Sequence, residues 1–261
     1  MFMAPKLTFA VIGDSAAYGT GDFDSEGRPR GWAHYLKEAF REDVNYFNFS
    51  RPGAQSTEVR SVQLPLALDV EPDICAVIVG GNDLLRNGFS PELLRANLLK
   101  TCSDLLLKGS EILMIQLHDP CQLLRIPRLL KRVLRRRVEA VNRVYEEVAL
   151  ELEIVLIRTR EIPQVHDLKN WHIDRMHPGP SGHQLLAREM ATQLRKRGWN
   201  LGLPQCQSTH QPPRTQKIMW LIRNGAPWFA KRSIDLLPVA LFLMAVEFLR
   251  VAREFVIQIQ H

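Results

Sequence analysis

The sequence predicts an α/β protein: a three-layer α/β/α sandwich around a five-stranded parallel sheet in the flavodoxin-like order 2-1-3-4-5, with a helical C-terminal extension. Two observations carry this expectation. Five short runs rich in aliphatic and β-branched residues, at 7–12, 44–49, 73–79, 111–117 and 154–157, are separated by stretches whose apolar residues recur at helical spacing. The first three runs stop abruptly at the polar turns Gly13-Asp14-Ser15, Ser50-Arg51-Pro52-Gly53 and Gly80-Gly81-Asn82-Asp83. Strands alternating with helices bury a parallel sheet between two helical layers, and ligands then sit beyond the carboxyl ends of the strands.

In chain order, the first strand ends at Gly13, which frees the backbone to turn. A polar loop from Tyr18 to Gly31 leads to a helix over 32–40, and the second strand ends before the turn at Pro52-Gly53. A helix beginning near Ser56 or Thr57 must end or kink at Pro65. After the third strand, Ser90 and Pro91 cap and open a helix that continues to about Leu107. The fourth strand gives way to a long connection over 118–134, a helix from about Arg135 to Leu152, and the fifth strand. An irregular loop to Asp174 precedes the closing helix, for which Ser181 and Gln184 have the spacing of a capping box.

Composition narrows the class. With 46% hydrophobic and 24% charged residues, the chain has the material for a sizeable core. The first residues lack the pattern of a signal peptide, and Cys75, Cys102, Cys121 and Cys206 show no C-x-x-C spacing, so neither a zinc site nor a disulfide framework is expected. A cytoplasmic setting fits best. The net charge of +6 is concentrated in the tail, but no basic stretch is interleaved with stacking aromatics, and nucleic acid is not an expected partner.

Ser15, Gly53, Asn82 and the pair Asp174 and His177 all fall in turns outside apolar faces. Acyl transfer needs a nucleophile, a base, a group that fixes the base's tautomer, and donors for an oxyanion, and these residues are of those types. His34, His118, His166, His172 and His183 read as structural or solvated, with His118 the best placed to line a pocket.

Gly13-Asp14-Ser15, Gly53 five residues after Asn48, Gly80-Gly81-Asn82-Asp83 and Asp174-Arg175-Met176-His177-Pro178 resemble, in order, the four blocks of the SGNH (GDSL-type) hydrolases. The resemblance spans about residues 7–199 and implies an esterase that works without a metal or cofactor on a small-molecule or lipid acyl ester. It implies Ser15 as nucleophile, His177 as general base, Asp174 as its orienting partner, and the N–H groups of Ser15 and Gly53 with the Asn82 amide as oxyanion hole. Ala16 departs from the larger apolar residue many members carry there, which bears on the width of the acyl pocket. The rival expectation is a catalytically silent member that binds lipid or carbohydrate.

Seven basic residues between Arg125 and Arg137, with no acid among them, emerge at the active edge. They read as a solvated helix start or as a rim that attracts anions. The division expected is a hydrolase domain over 1–204, a Gln/Pro/Thr-rich linker over 205–217 and a hydrophobic, amphipathic helical extension over 218–261. The apolar segment 236–246 is too short to span a bilayer. It is expected to be covered by the domain or a second chain in preference to a membrane surface, because Pro238 and the flanking acids make a poor membrane helix.

Overall fold

The computed structural model describes residues 6–205, 215, 219, 238, 241–242 and 244–250. Five strands, β1 (Leu7–Gly13), β2 (Val44–Asn48), β3 (Ile74–Ile78), β4 (Glu111–Ile115) and β5 (Val155–Ile157), form one sheet in the order β2-β1-β3-β4-β5. Every pairing is parallel, so all five carboxyl ends share one edge. The expected fold is the one observed.

Alternation along the strands builds two cores. Phe9 and Val11 of β1 point to one layer, where α2 (Gly31–Ala39) and α7 (Pro180–Lys196) supply Trp32, Leu36, Ala187, Met190 and Leu194. Ala10 and Ile12 point to the other, against Leu94 and Leu98 of α5 (Pro91–Leu107) and Val141, Tyr145 and Val148 of α6 (Arg128–Glu151). Side chains of successive strand residues face opposite sides, so a run apolar at every position fits a sheet covered on both.

Three local features differ from the expectations. The helix does not end at Pro65: α3 (Ser56–Glu58) widens into a π-helical turn over Val59–Gln63 and resumes as α4 (Leu64–Asp69). Proline lacks the N–H for the ordinary ladder and crowds the preceding turn, and the wider turn accommodates it. Helix α6 begins at Arg128, about two turns before the predicted Arg135, so the basic stretch is largely helix rather than connection. Helix α7 is capped by the backbone of Gly179 with Pro180 opening its first turn, which moves Ser181 inside the helix and leaves no side-chain cap.

Of the linker over 205–217, only Gln205 and Thr215 are described. Cys206, Trp220, Trp228 and the pair Lys231-Arg232 lie outside the described residues. Residues 244–250 are helical, and Glu247 in them is buried, with its carboxylate 2.6 Å from Arg136 Nη2 on α6. Leu241, Phe242, Val246, Phe248 and Leu249 are exposed. Of the two covers expected for 236–246, the domain or a second chain, the domain does not cover these residues. Among the described residues, no helix is long and apolar enough to cross a membrane.

Candidate active site

The site is assembled at the carboxyl edge of the sheet. Gly13 ends β1 at φ +144°, and a Cβ there would lie 1.9 Å from the carbonyl oxygen of Ile78, so only glycine lets β1 pass this close to β3. The chain then enters the short helix α1 (Ser15–Tyr18), whose N-cap Asp14 accepts a hydrogen bond of 2.9 Å from the Ala16 N–H. Ser15 is the first helical residue, where a backbone N–H has no partner within the helix.

His177 Nε2 lies 2.8 Å from Ser15 Oγ, and His177 Nδ1 lies 2.9 Å from Asp174 Oδ2. The sequence separates Ser15 and His177 by more than half the chain; the parallel sheet unites them. Asp174 Oδ1 also accepts from the N–H groups of Met176 at 2.8 Å and His177 at 3.0 Å. Arg175, at φ +55°, supplies the left-handed step that winds this turn. Burial alone would raise the Asp174 carboxyl, but hydrogen bonds from His172 and His177 and the charge of His177 outweigh it and hold the group well below the usual carboxylate range. A permanently ionised Asp174 favours the tautomer in which His177 Nδ1 carries the proton and Nε2 is free to accept one from Ser15. His172, expected to be structural or solvated, has its Nδ1 3.1 Å from the same Asp174 oxygen.

Gly53 sits at φ +90° in the turn after β2. Asn82 reaches towards it from the turn after β3, its amide donating to the Ala54 carbonyl at 3.1 Å. That bond uses one of two amide hydrogens and leaves one for a ligand. Asp83 ties the same turn to α3, accepting from Ser56 N–H at 3.1 Å and Ser56 Oγ at 2.5 Å.

One supporting residue had no clear signal in the sequence. Gln63, buried in the π-helical turn, accepts from Gly13 N–H at 2.6 Å and donates to Gly13 C=O at 3.0 Å. Asp14 is 5% exposed, and burial first, then the neighbouring Asp83, push its carboxyl up to about 6 against the pull of the Ala16 hydrogen bond and His177. His183 is structural as expected: Trp32 N–H donates to its Nδ1 at 3.1 Å, and its Nε2 is 3.0 Å from the Thr20 carbonyl.

A cavity of about 220 Å³ opens at Ser15 and His177. Ala16 lines it, where a larger side chain would narrow it, and Leu84, Leu124, Leu134, Leu185 and Leu186 make its walls largely apolar. His118 lines it too, its ring centroid 4.0 Å from that of Trp171 and the two planes tilted by 43°. Among the described residues no group of His, Cys, Asp and Glu is arranged to hold a metal ion.

Fold and site together define a serine carboxylic ester hydrolase on a flavodoxin-like sheet. Residues 11–185 match the GDSL-like lipase/acylhydrolase family, and the chain belongs to it, as the four SGNH blocks imply. It is 28% identical over 191 residues to an arylesterase from Vibrio mimicus, covering 71% of this chain and 87% of that one. The crystal structure of TesA superposes with a TM-score of 0.57 at 25% identity, over 72% of this chain and 98% of that one. The psychrotrophic esterase EstA from Pseudoalteromonas shares the fold, with a TM-score of 0.57, 19% identity, and 73% and 97% of the two chains covered.

Proposed function

We propose that the chain hydrolyses an acyl ester through a covalent acyl-enzyme. Ser15 Oγ attacks the acyl carbon while His177 Nε2 takes its proton, and the carbonyl oxygen becomes an oxyanion. The N–H groups of Ser15 and Gly53 and the spare Asn82 hydrogen stabilise that charge. Collapse of the tetrahedral intermediate expels the alcohol, which takes the proton from His177. Water, deprotonated by the same histidine, then attacks the acyl-serine and releases the acid. Asp174 keeps His177 in the required tautomer and balances the imidazolium.

The observation that carries this reading is the continuous hydrogen-bonded chain from Ser15 Oγ through His177 to Asp174, at 2.8 and 2.9 Å. Ser15→Ala should lower kcat for a short p-nitrophenyl ester by about a millionfold, abolish labelling by a fluorophosphonate, and leave the melting temperature near that of the wild type. Near-normal turnover by this variant would refute the assignment. The largely apolar cavity supports a lipophilic acyl group, and the similarity to an arylesterase supports an aryl alcohol as leaving group.

The same reading divides the chain into a hydrolase domain over 1–204 and an extension over 218–261, joined by a linker, and places the enzyme in the cytoplasm at an anionic lipid surface. Glu247 faces the domain while Phe242, Phe248 and Leu249 face outward, the reverse of a helix stabilised by its apolar face. Arg136, its partner, continues a stripe on α6 through the exposed Arg132 and Arg128, one and two turns earlier. Outward apolar side chains beside a basic stripe complement anionic lipid.

A further inference from the structure

Arg137 closes the basic stretch of α6 without sharing its exposure. Arg132, Arg135 and Arg136 are exposed, whereas Arg137 is half-buried and reaches the turn after β3. Its Nη1 donates to the carbonyl oxygens of Leu84 at 2.6 Å and Arg86 at 2.7 Å. That nitrogen carries two hydrogens, and both are used. The guanidinium also lies over the Phe89 ring, with Cζ 5.5 Å from the centroid, which holds the flat group in place. Among the described residues, no backbone N–H donates to either carbonyl.

Both carbonyls belong to the turn that carries Asn82. The Leu85 N–H donates to the Asn82 carbonyl at 3.3 Å, and the Arg86 N–H donates to the Asp83 carbonyl at 3.1 Å. The segment that Arg137 grips is thus bonded back onto Asn82 and its neighbour. From the other side, Asn82 donates to the Ala54 carbonyl and Asp83 accepts from Ser56. The turn is pinned at its start by the segment after β2 and at its end by α6. Burial first, then repulsion from Arg136, lowers the Arg137 pKa, so drawing this charge partly out of water has a cost. Charge-assisted hydrogen bonds to the two carbonyls offset it.

We propose that Arg137 is a positioning residue for ester hydrolysis: by holding the Leu84 and Arg86 carbonyls, it fixes the turn that aims the Asn82 amide at the oxyanion. Arg137 is not among the residues that line the cavity, so it acts through Asn82 and not on the substrate. This inference rests on the reading of Asn82 as an oxyanion donor. A misplacement of about 1 Å costs about a hundredfold in rate, and a slackened turn loses part of that without weakening ground-state binding.

The test is a double-mutant cycle in the full-length chain, with a short p-nitrophenyl ester as substrate. Arg137→Met keeps an aliphatic stem against Phe89 and removes the donors. It should lower kcat about tenfold and change KM by less than about twofold. In the Asn82→Ala background the same substitution should lower kcat by less than about twofold, because the donor it positions is already gone. A melting temperature that falls while kcat, read well below it, keeps its wild-type value marks a purely structural role and overturns the inference. An equal loss of kcat in both backgrounds, or a change confined to KM, overturns it as well while leaving the oxyanion reading intact. Wild-type kcat in Asn82→Ala refutes the oxyanion reading itself, and the Arg137 role falls with it. If Arg137→Met fails to fold, Arg137→Gln takes its place in the cycle, since its amide suits a half-buried position but is too short to span both carbonyls.

Discussion

Gln63 holds both polar groups of the Gly13 residue, accepting from its N–H at 2.6 Å and donating to its C=O at 3.0 Å, two residues before Ser15. The pair joins the π-helical turn to the end of β1. Gln63 is fully buried, so no water replaces a lost amide without rearrangement. Gln63→Ala should therefore cost about 1–3 kcal/mol of stability, as expected for stranded buried groups, and loosen the strand end that aims Ser15. Chemical denaturation checks the first effect and kcat on a short ester the second. Wild-type stability in this variant would show that the pair is dispensable.

Asn82 is tied to the Ala54 carbonyl at 3.1 Å and keeps one amide hydrogen for the oxyanion. Asn82→Ala should lower kcat by about a hundredfold to a thousandfold with little change in KM, because the donor acts mainly on charge that develops in the transition state. Steady-state kinetics distinguish this from an effect on KM alone, which would make Asn82 a ground-state binding residue.

Asp14 is protonated in the folded protein up to about pH 6, whereas in the unfolded chain it ionises near 3.8. Its contribution to stability is thus fully present below pH 3.8 and is lost as pH rises towards 6. Above that range the wild type bears a burial cost of roughly 3 kcal/mol, which a neutral amide at this position would not. Asparagine also serves as an N-cap, so Asp14→Asn keeps the acceptor for Ala16. Melting curves should show no advantage for Asp14→Asn at about pH 4 and a growing advantage up to about pH 6.5, constant beyond. A pH-independent difference would contradict the assignment.

The strands and the four polar turns were legible because each rests on a local signal: an unbroken apolar run, or a Gly, Asp or Asn where the chain must turn. Ser15, Asp174 and His177 were legible as types in order, and the sheet brings them within hydrogen-bond distance. Gln63 was not, because its role depends on a helix register that Pro65 shifts. The early start of α6 had a signal that went unused: Leu130, Val133, Leu134, Val138 and Val141 follow the helical period straight through the arginines. Ser181 misled because its spacing to Gln184 suits a cap, yet Pro180 takes the first helical position and displaces it.

The extension gives the most separable outcomes. Phe248 and Leu249 are 61% and 66% exposed, so replacing both with glutamate should leave folding and turnover on a short soluble ester unchanged. Their burial in lipid would contribute roughly 1.5–3 kcal/mol each, enough that their loss weakens vesicle binding well over tenfold. The wild type should co-sediment with phosphatidylglycerol vesicles and release as salt rises, because Arg128 and Arg132 act through screened charge. The Phe248→Glu/Leu249→Glu double variant should stay in the supernatant. A second copy of the chain is the competing cover for the same face, and it predicts a different pattern. Light scattering would then show a dimer in the wild type and a monomer in the variant, with neither binding vesicles, and the lipid assignment would be withdrawn.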